Sequence, residues 1–302
     1  MLFLMMEKNK NTWKSKSVVT VLIAAFFCMG ARSEFLDDFQ RAYNLFQDRQ
    51  WEASGAAFQK ISLAAGSAEL RDKCVSYAAR ACAWQGKFDE AMDLAGEIED
   101  PAMKAFAQMA VMSACGKNPE LLDKFKVEKI DAWPDEIAYR GYLMRGKALV
   151  PGAEAIPDLE KAAASSGLDN IASLDALRSL AMVYDSRGDR TKKIAALDRA
   201  VEIGEKNSGL RGNEIFLTPA LARAREAVAD KDFDKALAVL GVMGQPKGSW
   251  TCRIEEVRGD LYAAQGDKSK AAECYRRALA EENVRDEIRK PVSEKLARFE
   301  TE

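Results

Sequence analysis

The segment Gly86-Lys87-Phe88-Asp89-Glu90-Ala91 carries a pattern that returns along the chain. Each copy begins with a turn of polar residues or glycine. An aromatic residue usually follows the turn, and a small residue comes after it. The equivalent segments are Arg49-Gln50-Trp51-Glu52-Ala53-Ser54, Lys231-Asp232-Phe233-Asp234-Lys235-Ala236 and Gly266-Asp267-Lys268-Ser269-Lys270-Ala271. Apolar residues follow at spacings of three and four, such as Phe58 and Ile61 or Tyr275 and Ala278, which places them on one helix face. Each segment therefore predicts a turn between two packed helices.

The residues before two of these turns show the first helix of the pair. Leu177, Leu180, Ala181 and Tyr184 precede Gly188-Asp189, and Val257, Gly259 and Tyr262 precede Gly266-Asp267. In both helices a small residue, Ala181 or Gly259, stands at the point that the second helix must approach closely. Taken together, these residues resemble the tetratricopeptide repeat, a helical hairpin of about 34 residues.

The spacing of the turns supports this resemblance. Trp51 and Phe88 are 37 residues apart, and Phe233 and Lys268 are 35 apart. The longer interval from Phe88 to Arg190 has room for two degenerate hairpins, over residues 105–125 and 136–163. Breaks are expected at Asn118-Pro119 and at Val150-Pro151-Gly152.

The sequence therefore predicts an all-α fold, an α-α superhelical solenoid of about seven tetratricopeptide-like hairpins over residues 34–282. A capping helix is expected over residues 283–302, with Pro291 ending or kinking a helix. An ordinary helical bundle is the alternative, but it does not explain why the turn residues recur at nearly fixed offsets. No segment alternates apolar β-branched residues in the way a strand does.

The first 33 residues differ from the rest of the chain. A basic stretch with Lys14 and Lys16 precedes an apolar run over residues 18–29, and the small residues Ala31 and Ser33 follow. This arrangement predicts a signal peptide over residues 1–33, cleaved after Ser33, and hence an exported protein, periplasmic or secreted. As a helix the run would span about 18 Å, short of the roughly 30 Å hydrocarbon core, so an uncleaved membrane anchor is the weaker alternative. Lipid attachment at Cys28 is disfavoured because Phe26 and Phe27, which are not small, precede it.

The net charge restricts the kind of partner that the protein can bind, and the number of cysteines indicates whether they form disulfides. Residues 1–33 hold five basic residues and one acidic residue, so the remaining chain has 40 basic and 46 acidic residues and a net charge of −6. That balance argues against nucleic acid as a partner. Five cysteines remain, an odd number that does not suggest a disulfide framework, so most are expected to be small core residues.

The residue types and motifs in the sequence do not favour an enzyme. The chain has no His, which excludes Ser-His and Cys-His pairs and His-ligated zinc. Gly241-Val242-Met243-Gly244 lacks the Lys and Ser or Thr of a phosphate-binding loop. The carboxylate pairs Glu255-Glu256 and Glu281-Glu282 are expected to be solvated surface charges. We predict no enzyme, no cofactor and no metal site.

The resemblance implies that the first helices of the hairpins line a groove that holds an extended peptide or a partner helix. Helical phase predicts which side chains face this groove. The predicted lining residues are Arg80, Trp84, Arg178, Met182, Asp185, Leu221, Arg225, Glu256 and Asp260. The Lys and Asn, one turn apart, with which some family members clamp a C-terminal carboxylate are missing at these positions.

These observations predict an exported scaffold or adaptor for a protein or peptide partner. A bacterial cell envelope is favoured by the absence of any Asn-x-Ser/Thr sequon and by the frequency of the repeat family in bacteria. The alternative is a self-assembling structural component that associates through its apolar N-terminal helix. That helix contains Phe35, Leu36, Phe39, Tyr43, Leu45 and Phe46, which could instead pack on the next hairpin. A further alternative is an enzyme or glycan-binding protein that uses groove carboxylates and Trp84.

Overall fold

The computed structural model describes residues 32–300, except residues 166, 168 and 283. Within that part of the chain all regular structure is helical, and no strand is present. The α-helices are α1 (Arg32–Gln47), α2 (Trp51–Leu63), α3 (Ala68–Trp84), α4 (Phe88–Gly96), α5 (Pro101–Ala114), α6 (Asn118–Phe125), α7 (Asp135–Leu149), α8 (Ala155–Ala163), α9 (Asn170–Ser186), α10 (Arg190–Lys206), α11 (Glu214–Ala229), α12 (Phe233–Val242), α13 (Ser249–Ala264), α14 (Lys268–Ala280) and α15 (Asp286–Glu300). Short 3-10 helices precede α7 and α11. The predicted basic and apolar stretches of the signal peptide lie outside the described residues.

The chain divides into two compact units, an N-terminal unit of Met1–Ala172 and a C-terminal unit of Ser173–Glu302, with the boundary inside α9. In the N-terminal unit successive helices form hairpins, and the first helices α3, α5 and α7 also pack side by side. In the C-terminal unit α11 packs on α13, and α13 packs on the final helix α15. Stacked helical hairpins and a final helix therefore confirm the predicted all-α repeat fold, whereas the domain boundaries stay a prediction.

Within the described part of the chain, six hairpins share one type of turn. The residue after the C-cap of the first helix has φ between +57° and +83° in each of them. These residues are Arg49, Gly86, Gly116, Gly188, Lys231 and Gly266. The next N–H donates to the carbonyl five residues earlier, at 2.8–3.3 Å, which is the closing bond of a Schellman motif. The segments quoted from the sequence thus act as turns because each one closes a helix and starts the next.

Small residues lie where the two helices of a hairpin approach. A Cβ added to Gly259 in α13 would lie 2.6 Å from Cδ1 of Tyr275 in α14, and closer still to its Cε1. A Cβ on Gly146 in α7 would lie 2.9 Å from the Leu159 side chain in α8. Real side chains do not approach so closely, so these positions need glycine. Ala181, the small residue expected in α9, is buried.

Of the five cysteines among the described residues, Cys74, Cys82, Cys252 and Cys274 are buried, and Cys115 is half-buried. All five are free thiols. Burial raises the pKa of the Cys74 thiol to about 12, so this side chain stays neutral. The expectation that most are small core residues is confirmed for these four.

Two of the prolines named in the sequence lie within helices. Pro291 does not end its helix, since α15 continues through it to Glu300, and the alternative, a kink at Pro291, stays a prediction. The adjacent Val292 is fully buried, so packing holds this turn of the helix in place. The break expected at Asn118-Pro119 lies just before it, at residues 115–117 between α5 and α6. Asn118-Pro119 itself begins α6, since an N–H in the first turn of a helix has no partner within the helix and proline can therefore lack it.

Candidate functional site

The first helices of the N-terminal unit bring an arginine among aromatic rings. The guanidinium carbon of Arg80, on α3, lies 5.1 Å from the ring centre of Phe46 on α1. It also lies 5.0 Å from the ring centre of Tyr77 on α3 and 5.8 Å from that of Phe106 on α5. Three successive first helices therefore enclose one cation by cation–π contacts.

Arg80 has no carboxylate partner within the described residues. Burial lowers the pKa of its guanidinium, the nearby Tyr77 opposes that effect, and the positive charge of Arg140 adds to it. The guanidinium of an arginine keeps its charge in proteins, even where burial opposes that charge. The fold thus encloses a positive charge without an anion to balance it.

Arg140, on α7, is balanced by Asp169. Its guanidinium donates to the Asp169 carboxylate at 2.7 Å and to the Tyr139 hydroxyl at 2.9 Å. Asp169 also accepts from the Tyr139 hydroxyl at 3.2 Å and from the N–H groups of Ile171 and Ala172 at 3.1 Å. Burial raises the pKa of Asp169, but the Arg140 charge and these hydrogen bonds outweigh burial and lower it overall. Its oxygens are already occupied and do not neutralise Arg80.

An exposed tryptophan continues the same surface. Trp84 follows Arg80 by one turn on α3 and is 53% exposed. Its ring stacks on Trp51 at 5.8 Å between centroids, and Trp51 packs edge-on against Phe46 at 5.1 Å. We call this continuous surface the Arg80–Trp84 face. It consists of the accessible side chains of Trp51, Tyr77, Arg80 and Trp84, together with the buried rings of Phe46 and Phe106 that contact them. Helical phase had predicted Arg80 and Trp84, but every ring around them except that of Tyr77 comes from another helix.

In the C-terminal unit the predicted groove carboxylates are already paired. Glu256 accepts from Lys295 at 2.8 Å and from Arg225 at 3.4 Å. Asp260 accepts from Lys295 at 2.7 Å and from the Tyr275 hydroxyl at 2.8 Å. Lys295, on α15, was not predicted, and no local pattern marks it, since its partners lie 39 and 35 residues away.

Leu221 does not line an open surface. It is only 3% exposed, so it belongs to the core, and its predicted place in the groove is wrong. It lies one turn before Arg225 near the middle of α11, a helix on which both α12 and α13 pack. Phase alone does not distinguish an open helix face from one that a neighbour covers.

The three predicted residues of α9 are at least partly accessible. Arg178 forms an ion pair with Asp175 at 2.7 Å, and its Nε is buried without a hydrogen-bond partner among the described residues. Met182 is 55% exposed. Asp185 accepts from Lys193 of α10 at 2.7 Å. This surface holds one exposed apolar side chain, without the ring cluster of the Arg80–Trp84 face.

Of the paired carboxylates, Glu255 is not a solvated surface charge as expected. It is buried and forms ion pairs with Arg258 at 2.6 Å and with Arg277 at 2.9 Å. Glu281 accepts from the Gly248 N–H at 2.8 Å.

In the described part of the chain no group of three His, Cys, Asp or Glu residues could hold a metal ion. Among the helices of residues 32–300, none is both long and apolar enough to cross a bilayer.

Comparison with known proteins gives a family match for the C-terminal part of the chain. Residues 217–300, which run from α11 to the end of α15, match the sequence model of the tetratricopeptide repeat-like domain. The tetratricopeptide assignment made from the turn residues is thus confirmed for this part of the chain. A similar solved structure is that of a tetratricopeptide repeat protein from Parabacteroides merdae ATCC 43184, at 2.39 Å resolution. The TM-score is 0.40 and the identity 14%, over 89% of this chain and 99% of that chain. No curated protein sequence matches the chain.

Proposed function

We propose that this protein is an exported scaffold or adaptor of a bacterial cell envelope, and that its N-terminal unit holds a protein or peptide partner. Helical repeats of this kind are scaffolds for protein interactions. The observation that carries the proposal is the Arg80–Trp84 face, where an unbalanced guanidinium adjoins a half-exposed tryptophan. Aromatic and arginine side chains of this kind dominate the binding energy of protein interfaces.

The proposal of export rests on the basic, apolar and small-residue segments before residue 34. Its test is a fusion of residues 1–33 to alkaline phosphatase, an enzyme that is active only after export from the bacterial cytoplasm. We expect an active fusion, and a native protein whose intact mass corresponds to residues 34–302. Full-length mass in the membrane fraction would indicate an anchor instead, and an inactive fusion would refute export.

The partner is tested with the tagged full-length chain, captured after crosslinking in its native host and analysed by mass spectrometry. Three variants accompany the wild type: Trp84→Ala on the proposed face, Arg178→Glu/Arg225→Glu in the C-terminal unit, and Leu63→Ala as a control. Leu63 suits the control because it is an apolar side chain of the same unit and is 90% exposed. We expect a partner that is retained by the control and lost with Trp84→Ala. Loss with the double variant alone would place binding on the C-terminal unit.

If only copies of the protein itself are retained, the self-assembling structural role replaces the adaptor role. The predicted association surface on α1 has limited exposed area for this, because Phe39 and Phe46 are buried. Phe35, Leu36, Tyr43 and Leu45 are half-buried. Sedimentation of the purified chain decides the matter: we expect a monomer at micromolar concentration, and a stable oligomer would favour the structural role.

A further inference from the structure

We propose that the Arg80–Trp84 face binds an extended acidic segment of a protein partner, with an Asp or Glu carboxylate on Arg80 and an apolar side chain, two residues away, on Trp84. This inference rests on the proposed function and names the chemistry of its partner. Three features support it: the unbalanced charge, the exposed ring, and the helical rise between the two residues that carry them.

Charge favours a carboxylate as the group that meets Arg80. The ring contacts at 5.0–5.8 Å hold the guanidinium in place but supply no anion for its N–H groups. The charge of Arg140, although it is paired with Asp169, adds to burial in lowering the pKa of Arg80, so an added anion would stabilise the guanidinium. A planar guanidinium binds a carboxylate through two parallel hydrogen bonds, and the enclosing rings reduce competition from water.

The exposed ring favours an apolar neighbour for that carboxylate. Trp84 presents a ring whose other side is supported by Trp51, so its position is fixed before a partner arrives. Such a rigid aromatic surface gains contact area on binding at a small cost in side-chain entropy. The four residues from Arg80 to Trp84 rise about 6 Å along a helix. Two residues of an extended chain rise about 6.6 Å, so an acidic residue and an apolar residue at i and i+2 match both positions.

A peptide fits this face better than a nucleic acid does. Binding to a phosphate backbone draws on many basic side chains at once, because each contact neutralises one phosphate. The face offers one unbalanced guanidinium, since Arg140 is bound to Asp169. One carboxylate satisfies that need.

The test uses an array of short Ser/Gly peptides that carry one Glu and one Trp at every separation and in both orders. The purified full-length chain is applied, and bound protein is detected through its tag. We expect the strongest signal where one residue separates Glu from Trp. Replacing that Glu by Gln should weaken binding about tenfold, measured by fluorescence anisotropy of the labelled peptide, since a charged hydrogen bond is lost.

Protein variants assign the binding to the face. Arg80→Met should remove the preference for Glu, whereas Arg187→Met should not, although it removes the same charge from an exposed arginine. Trp84→Ala should remove the preference for Trp and leave the preference for Glu. Circular dichroism checks the fold, and if Arg80→Met is unfolded, Arg80→Lys replaces it, with a loss of about tenfold expected because the planar fork is gone.

Equal binding of Glu and Gln peptides, or an unchanged Glu preference in the folded Arg80 variant, would overturn the inference. If capture from cells still depended on Trp84, the scaffold function would stand and only the acidic partner would be wrong. If the array and the capture both failed, the adaptor function itself would be refuted.

Discussion

Replacement of Gly259 by Ala tests the reasoning about hairpin packing most directly. Gly259 lies in the middle of α13 against the ring of Tyr275, which is 2% exposed. The added Cβ would lie 2.6 Å from Cδ1 and 2.8 Å from Cζ of that ring, well inside van der Waals contact. The ring does not move aside freely, because the Tyr275 hydroxyl donates to Asp260 at 2.8 Å.

Two opposing effects set the change in the free energy of unfolding. Alanine is favoured over glycine in a helix interior by about 1 kcal/mol. Overpacking a closed core typically costs about 1–3 kcal/mol, and the contacts at Gly259 belong at the upper end of that range because several ring atoms are involved. We therefore expect Gly259→Ala to lower the free energy of unfolding by about 1–2 kcal/mol, in spite of its better helix propensity.

Urea denaturation followed by circular dichroism measures this change as a shift of the midpoint at constant slope. Gly241→Ala is the matched control, since Gly241 is in helix α12 and a Cβ there meets no atom within 4 Å. The control should be stabilised by up to about 1 kcal/mol. In Gly259→Ala/Tyr275→Leu, where the ring is gone, the cost of the alanine should largely disappear. A Gly259→Ala protein as stable as the control would refute the close-approach argument.

Three further predictions concern a turn, a buried ion pair and the last helix. Lys231 has a φ of +57°, so Lys231→Gly should stabilise the protein by about 0.5–1 kcal/mol in the same urea assay, and destabilisation would contradict the turn argument. Arg145 and Asp158 form two hydrogen bonds, of 2.6 and 2.9 Å, and their side chains are 14% and 10% exposed. Asp158→Ala should cost about 3–5 kcal/mol because it leaves a charge unpaired, and a loss below about 1 kcal/mol would show that water reaches Arg145. Lys295→Met should speed amide hydrogen exchange in α15 about fivefold by removing its bonds to α13, whereas Lys290→Met, at an exposed position, should leave exchange unchanged.

The hairpins were predictable because their signals are local. In the turns at Gly86 and Gly266 the residue after the glycine donates to a carbonyl five residues before it, so a short segment contains both halves of the motif. The small residue Gly259 was recognisable for the same reason, since its contact with Tyr275 falls within one hairpin. Residue type alone does not reveal every such turn. Lys231 takes the left-handed conformation that glycine takes in most of the equivalent turns.

The candidate site was only partly predictable. Phase along α3 gave Arg80 and Trp84, but the same reasoning placed Leu221 on an open face where the structure buries it. It also gave Glu256 and Asp260 without Lys295, the cation that binds both. The helix period predicts which residues share a face. The neighbouring helices decide whether that face is open or covered, and whether its charges are paired.

The sequence by itself determined that this chain forms paired helices, because helix period, turn conformation and close packing within a hairpin depend on residues near one another in the chain. Only the tertiary structure decided which of Arg80, Arg140 and Lys295 meet an anion. Arg140 meets Asp169 from 29 residues away, and Lys295 meets Glu256 from 39. Among the described residues Arg80 meets aromatic rings, two of which α1 and α5 bring to it. Such contacts join side chains on different helices, and only the stacking of the hairpins fixes which of them come within hydrogen-bond distance.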